Sequence, residues 1–196
     1  MKTVKMFLAV LVVLSSVSFS QVKWNADASH SSVVFRVKHL VISEVAGYFR
    51  EFSGTVESKK DNDFSNAQID FTVKTSSINT DNEKRDAHLK SDDFFNSEKY
   101  PAMTFKGKSM KKIGKDKYTL VGDLTIRDVT KEIKLDVVYN GTVKDPWGLT
   151  RAGFKLTGQL NRFDYNLKWN TLMETGGAMV DKTIKIESNL EFVVSK

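Results

Sequence analysis

Apolar and polar residues alternate with a period of two along much of the chain. In one such stretch Ile69, Phe71 and Val73 alternate with polar residues. The same pattern recurs at Val33, Phe35 and Val37; at Ile133, Leu135, Val137 and Tyr139; and at Ile184, Ile186, Leu190 and Phe192. Because successive side chains of a β-strand point to opposite faces, each stretch is predicted to be a strand with one apolar and one solvated face.

Short polar segments between the strands predict turns. They are residues 113–117 (IGKDK), 126–130 (IRDVT) and 144–148 (KDPWG). Arg127 and Asp128 are expected at the tip of the second turn, since aspartate tolerates turn geometry. Asn140-Gly141 lies inside a longer run and indicates either a turn or a bulge. About eight strands joined by short connections predict a mainly β domain, either an antiparallel barrel or a sandwich.

One segment departs from this pattern. Residues 82–90 (NEKRDAHLK) favour a short helix, and Thr80 followed by Glu83 has the spacing of a capping box. Phe94 and Phe95 follow in a predicted loop that ends at residues 100–101. A helix inserted between strands, with charges first and aromatic residues after, suits a segment that plugs or rims a barrel.

The first twenty residues have the layout of a secretory signal peptide. Lys2 and Lys5 precede an apolar run, and small residues lead to Ser20, after which we expect cleavage. The run is short for a membrane span, although an uncleaved N-terminal anchor is the alternative. Residues 21–196 are then predicted to form one domain, exported to the periplasm.

Composition narrows the chemistry. Without Lys2 and Lys5 the 30 basic residues become 28, and against 24 acidic residues the net charge is +4. This mild and interleaved charge does not favour nucleic-acid binding. The basic residues 106–117 are expected to form a solvated hairpin tip, with transient contact to anionic lipid headgroups as the minority interpretation. The absence of cysteine excludes disulfides and thiolate chemistry.

No catalytic or metal-binding pattern emerges from the sequence. The three histidines, His30, His39 and His88, lack the spacing of a local metal site, and we expect each to have a structural or rim role. There is no G-x-S-x-G motif, and the adjacent Asp92 and Asp93 are poorly placed as paired carboxylates. The sequence therefore predicts neither an enzyme nor a cofactor site.

Phenylalanine is frequent on the predicted apolar faces, with thirteen in the whole chain. A packed core accounts for most of them. An eight-stranded barrel, however, has an interior about large enough for one small ligand, and a long apolar ligand needs such a lining.

The motifs together resemble the YceI-like family of lipid- or polyisoprenoid-binding proteins. The resemblance rests on residues 27–40 (DASHSSVVFRVKHL), 47–56, 76–105, 122–133 and 145–170, and it covers nearly all of residues 21–196. The run RDAHLKSDDFF within residues 85–95 is its most distinctive part. Asn166 and Asp128 stand where the family often has glycine, and both tolerate left-handed backbone.

The resemblance implies a lipocalin-like antiparallel barrel with a short helix, acting as an exported binding protein and not as an enzyme. It would hold a polyisoprenoid, an isoprenoid quinone or a fatty-acyl derivative for transport or storage, as a monomer or a homodimer. Arg85, Asp86 and His88 would form a polar network on the helix or at the rim, and Arg85 or His88 is a candidate for holding a headgroup. The expected lumen residues are Phe35, Val37, Phe49, Phe71, Phe94, Phe95, Phe105, Leu124, Ile126, Phe154 and Phe192.

Two alternatives remain open from the sequence. One is an envelope-stress or interaction protein with a barrel that is packed shut. The other is an exported hydrolase that uses the Arg85 and His88 cluster.

Overall fold

The computed structural model describes residues 21–174 and 176–195, so the predicted signal peptide lies outside the described residues. The strands are β1 (Val22–Ala26), β2 (Ser32–His39), β3 (Ser43–Phe49), β4 (Phe52–Ser58), β5 (Gln68–Lys74), β6 (Ile78–Asn79), β7 (Ala102–Gly114), β8 (Lys117–Ile126), β9 (Val129–Lys144), β10 (Thr150–Asn161) and β11 (Val180–Val194). The helix α1 is Glu83–Lys90. Short 3-10 turns lie at Ala28–His30, Thr75–Ser77 and Arg162–Tyr165.

The strands close into an eight-stranded antiparallel barrel. The order around the ring is β1-β4-β5-β7-β8-β9-β10-β11, and β11 returns to pair with β1. Strand β2 continues β1 past the 3-10 turn and also pairs with β11, while β3 pairs with β2 and β6. The predicted mainly β barrel of about eight strands with one short helix is confirmed, and the sandwich alternative is not what forms.

Most predicted turns lie where the polar segments placed them. Residues 115–116, 127–128 and 145–149 connect successive strands. Asn140 is a bulge and not a turn, because Gly153 faces Gly141 whereas Phe154 already faces Tyr139. In the β8–β9 turn the left-handed residue is Arg127, with a φ of 55°, and not Asp128 as its expected glycine-like role implied. Asn166 does adopt left-handed backbone, with a φ of 60°.

The helix lies almost where it was predicted, but its cap differs. Asn82 is the N-cap residue, and its side-chain oxygen accepts a hydrogen bond from the backbone N–H of Arg85 at 2.9 Å. The predicted capping box of Thr80 and Glu83 is wrong, because the Thr80 hydroxyl donates instead to the Asp86 carboxylate at 2.5 Å. The helix is therefore tied by Asp86 to the chain that precedes it.

Glycines opposite phenylalanines leave room for the large rings. Gly47 is the register partner of Phe35, and Gly54 is the partner of Phe71. A Cβ added to either glycine would lie 2.2 Å from the ring of its partner. The two rings therefore lie over glycine backbone, a device that lets an aromatic side chain cover a gap in a sheet.

Candidate functional site

One end of the barrel is closed by aromatic packing around the β4–β5 connection. Phe64, from the β4–β5 connection, is 1% exposed and contacts Trp24, Tyr139 and Phe154, with ring centroids 5.5, 5.4 and 4.7 Å away. The Trp24 indole N–H donates to Ser58 Oγ at 2.9 Å, so the buried indole keeps a hydrogen bond. We call this the terminal end, and the ring of Phe64 closes the cavity there.

The opposite end is covered by the inserted segment, and we call it the helix end. Phe94 and Phe95 are both buried, and Phe95 meets Phe49 edge to face at 5.6 Å. The Arg127 side chain donates to the backbone carbonyls of Asp92 and Phe94, each at 2.8 Å. This arginine thereby fixes the loop after α1 onto the β8–β9 turn.

Between the two ends lies a cavity of about 240 Å³. Its wall is apolar apart from Thr104, Arg162 and Ser188. Pockets for small molecules commonly measure about 300–1,000 Å³ and are lined mainly by apolar side chains. The cavity lies just below this range, so its size suits one slender apolar chain rather than a bulky ligand.

All eleven residues expected in the lumen lie on the cavity wall. They are Phe35, Val37, Phe49, Phe71, Phe94, Phe95, Phe105, Leu124, Ile126, Phe154 and Phe192. Their contact with a ligand stays a prediction. The sequence analysis missed other wall residues, including Phe64, Leu89 and Leu156. Leu156 could have been predicted from the alternation of apolar residues along β10. Phe64 could not, because it lies in a connection that has no regular pattern of apolar residues.

The polar residues of α1 lie off the cavity wall. Arg85 donates from Nε to Thr80 Oγ1 and from Nη2 to the Thr80 carbonyl, both at 2.7 Å. The buried Asp86 carboxylate accepts from the Thr80 N–H at 2.9 Å. His88 Nε2 lies 2.7 Å from Asp93 Oδ2, and its ring packs edge to face on Trp169. Arg85 and Asp86 thus share Thr80 as a common partner, whereas His88 is bonded to Asp93 and not to either of them. The part of these residues in holding a headgroup stays a prediction.

The two adjacent aspartates of this loop have separate partners. Asp92 Oδ1 accepts hydrogen bonds from Asn96 and from Arg127, each at 2.7 Å. These bonds, with that from Asn96 first, hold the pKa of Asp92 below its usual value. Asp93 is instead paired with His88. The two carboxylates therefore hold the loop through different partners, and they do not face each other as a catalytic pair would.

An arginine that the sequence analysis did not single out lies in the wall at the helix end. Arg162 begins the 3-10 turn after β10 and is 1% exposed. Its guanidinium also lies over the ring of Phe163, 4.2 Å from the ring centroid. Burial lowers the pKa of Arg162, but a guanidinium in a protein keeps its proton. No local pattern distinguishes this arginine from a surface arginine.

A second polar cluster lies outside the barrel near β11. Asp27, His30 and Glu191 have ligand atoms within 4.8 Å of one another. Arg151 Nη1 donates to Asp27 at 2.8 Å and to Glu191 at 2.5 Å, while its Nε donates to Asp145 at 2.7 Å. Hydrogen bonds from Ser29, then from Arg151 and His30, hold the pKa of Asp27 well below its usual range. The arginine already compensates these carboxylates, so the cluster is an ion-pair network.

The fold and the cavity define a class: closed antiparallel β-barrels that enclose an apolar lumen. The YceI-like domain model matches residues 24–192, and the chain belongs to this family. Among the described residues, no helix has the length and apolar character needed to cross a bilayer.

A protein of similar sequence and a protein of known structure support this assignment. The UPF0312 protein SA2479 of Staphylococcus aureus (strain N315) is 43% identical over 171 residues, which cover 87% of this chain and 96% of the relative. The crystal structure of a Campylobacter jejuni YCEI protein matches with a TM-score of 0.69 at 31% identity, covering 97% of this chain and 100% of that one.

Two more distant structures share the fold. Burkholderia cenocepacia BcnA matches with a TM-score of 0.73 at 19% identity, covering 85% of this chain and 98% of that chain. A Saccharophagus degradans domain, described as a polyisoprenoid-binding domain implicated in plant cell wall breakdown, matches with a TM-score of 0.64 at 15% identity, covering 88% of this chain and 98% of its own.

Proposed function

We propose that this protein is an exported, periplasmic binding protein that holds one long apolar amphiphile in its lumen for transport or storage. The candidate ligands are a polyisoprenoid, an isoprenoid quinone and a fatty-acyl derivative. The observation that carries the proposal is the cavity of about 240 Å³ with an almost entirely apolar wall. The likeness to a domain described as polyisoprenoid-binding supports the ligand class.

The physical chemistry of such a lumen favours binding over catalysis. Each buried methylene contributes about 0.8 kcal/mol, so a chain that fills the cavity gains affinity in proportion to its buried length. Apolar contacts of this kind hardly distinguish one chain from another, and selectivity then depends on lumen length and on the few polar groups of the wall. We therefore propose a binding protein without enzymatic activity.

The first test is native mass spectrometry of the protein purified from the periplasm, followed by organic extraction and identification of the lipids. A stoichiometric long-chain amphiphile is the expected result. A clean apo mass, together with no uptake from a panel of isoprenoids, quinones and fatty acids, contradicts the proposal and favours a barrel that is packed shut. Turnover of a long-chain ester that depends on Arg85 and His88 would favour the hydrolase alternative.

A variant that fills the lumen makes the test specific. Leu156 lies on the cavity wall, whereas its neighbour Lys155 on β10 is exposed. We expect Leu156→Trp to reduce lipid uptake at least tenfold, since the indole occupies the space of the chain, while Lys155→Trp binds as the unaltered protein does. Circular dichroism checks that both variants are folded, and equal uptake by the two variants contradicts binding in the lumen.

A further inference from the structure

Three connections between strands meet at the terminal end of the barrel. The Thr142 hydroxyl of β9 donates to the Asp61 carbonyl at 2.7 Å, and the Tyr139 N–H of the same strand donates to the Asp116 carbonyl at 2.8 Å. The last residues of β9 therefore join the other two connections to the turn that follows β9. We call the three segments together the basic end: residues 59–67 between β4 and β5, residues 111–117 at the β7–β8 turn, and residues 143–149 at the β9–β10 turn.

Most of the excess positive charge of the chain lies at the basic end. Its three segments hold seven lysines and four aspartates, a net charge of +3 (7 − 4), whereas residues 21–196 as a whole carry +4 (28 − 24). All seven lysines are exposed, and none takes part in the ion pairs found within residues 21–174 and 176–195. Of the aspartates, Asp145 already pairs with Arg151, and Asp63 accepts a hydrogen bond from the Ser65 hydroxyl. The chain thus leaves a positive potential at this end.

Large apolar side chains are exposed among these lysines. Trp147 is 83% exposed, Val143 64% and Ile113 63%, and Ile113 lies at a break in the β7–β8 register. The turn that carries Trp147 is fixed, because the Asp145 carboxylate accepts hydrogen bonds from the N–H groups of Trp147 at 3.0 Å and Leu149 at 2.8 Å. A solvated hairpin tip accounts for the lysines, but it does not account for an indole that a braced turn holds out in water.

We propose that the basic end docks on the surface of an anionic phospholipid bilayer, with Trp147 inserted at the level of the headgroups. Lysines close to an anionic leaflet are attracted to it, and tryptophan favours the boundary between headgroups and hydrocarbon. Ile113 and Val143 suit the same boundary, whereas binding of a nucleic acid strand relies on base stacking and phosphate contacts. Two copies of this end would repel each other, because both are positive.

This inference goes beyond the proposed function, since it assigns a surface outside the lumen. Docking in this way sets the β4–β5 connection, whose Phe64 closes the cavity, against the headgroups. Uptake of a lipid into the lumen is measured separately from docking. Protein that takes up lipid but does not bind a bilayer overturns the docking alone, and protein that binds a bilayer but takes up no lipid contradicts the proposed function alone.

The test is cosedimentation of the purified protein with phosphatidylcholine vesicles that contain or lack phosphatidylglycerol. We expect binding only to the vesicles with phosphatidylglycerol, and we expect it to fall steeply as NaCl is raised toward about 1 M, where charges are screened within about 3 Å. Equal binding to the two kinds of vesicle, or binding to neither, overturns the inference. Tighter binding to a DNA duplex than to the anionic vesicles overturns it as well.

Paired charge reversals locate the docking surface. Lys112→Glu combined with Lys115→Glu should weaken binding to the anionic vesicles at least about tenfold, since each lysine close to such a surface contributes about fivefold in affinity. Lys168→Glu combined with Lys182→Glu is the matched control, because it changes the net charge equally at exposed lysines of the helix end. The control should alter binding by less than about twofold. Equal losses in the two double variants overturn docking through the basic end.

Tryptophan fluorescence reports the insertion itself. Trp24 is 0% exposed, so a shift of the emission to shorter wavelength on adding anionic vesicles is expected to come from Trp147. Trp147→Ala should remove this shift and weaken vesicle binding, while circular dichroism checks that the variant is folded. A shift of the same size in the folded Trp147→Ala variant contradicts insertion of this side chain.

Discussion

At the scale of single residues, Asp86 shows how one buried carboxylate holds an inserted helix. Its side chain is buried, and one oxygen accepts hydrogen bonds from both the backbone N–H and the hydroxyl of Thr80. Arg85 donates to the same hydroxyl and to the Thr80 carbonyl. The polar groups of Thr80 are thus satisfied by the first turn of α1, and the helix cannot shift without leaving them unpaired.

We expect Asp86→Ala to lower the free energy of unfolding by about 1–3 kcal/mol, because it leaves the buried N–H and hydroxyl of Thr80 without their acceptor. The matched control is Asp93→Ala on the same segment. Asp93 pairs with His88 through side chains that are 56% and 40% exposed, and such pairs contribute about 0–1 kcal/mol. Urea denaturation followed by circular dichroism measures both variants, and equal losses would contradict the proposed importance of Asp86.

What the sequence revealed at this scale depended on how local the determinant is. Nine of the eleven predicted wall residues lie on strands, where alternation fixes which face each side chain takes, whereas Phe94 and Phe95 belong to the loop after α1. The prediction from sequence missed Arg162, since burial of an arginine depends on carbonyls of residues 167, 169, 180 and 181 that only the folded chain brings around it. It also misassigned the helix cap, because Thr80 and Asn82 are both capable caps and only their orientation decides between them.

At the scale of elements, the β2–β3 turn has an unusual backbone. Leu40 and Val41 have φ angles of 51° and 67°, in the left-handed region. Val41 is β-branched, which makes this conformation costly, and its side chain is 71% exposed, so packing compensates little. This turn was not predicted from the sequence, since its residues are apolar whereas the turns that were predicted are polar.

We expect Val41→Asn to raise the free energy of unfolding by about 1 kcal/mol, because asparagine adopts left-handed backbone at lower cost than valine. Ile42→Asn is the control, since Ile42 is 86% exposed but is not among the residues with positive φ. It should leave stability unchanged. The midpoint of thermal unfolding reports the difference, and an equal gain in both variants would show that lower surface hydrophobicity, and not backbone strain, is responsible.

At the scale of the whole molecule, the ion-pair network around Arg151 joins distant parts of the chain. Arg151 on β10 binds Asp27 after β1, Asp145 in the β9–β10 turn and Glu191 on β11. The Arg151 guanidinium also holds the pKa of Asp145 below its usual value. A carboxylate with a lowered pKa in the folded state stabilises the fold above its unfolded pKa of about 3.9, and this stability is lost as the pH falls through the folded pKa.

We therefore expect Arg151→Gln to lower the free energy of unfolding by about 2 kcal/mol at pH 7, since charged hydrogen bonds of this kind contribute about 1.5–3 kcal/mol. The difference from the unaltered protein should shrink as the pH falls below about 4, because Asp27 and Asp145 are then protonated in the unfolded chain while the folded unaltered protein still holds them ionised. Arg36→Gln is the control, since Arg36 and Glu187 form a pair that is 38% and 42% exposed. A difference that is constant from pH 7 to pH 2 would contradict this account.

The closure of the barrel lay beyond what local patterns can predict. Alternation and turns established the strands, but they are equally compatible with a barrel and with a sandwich. The deciding pairing is that of β1 with β11, and it joins Trp24 to Val194 across nearly the whole chain. The Asn25 side chain donates to Ser195 Oγ at 2.8 Å across a separation of 170 residues.

That pairing has a consequence for how the molecule folds. Loop closure over such a separation carries a large entropic cost, and topologies rich in distant contacts fold slowly. Strand β11 contacts β10, β2 and β1, so the ring can close only when this strand is available to pair with β1. Before β11 pairs with β1, the apolar side chains of the wall belong to an open sheet and face water. The enclosed lumen therefore forms in one late step, when the two edge strands of that sheet meet.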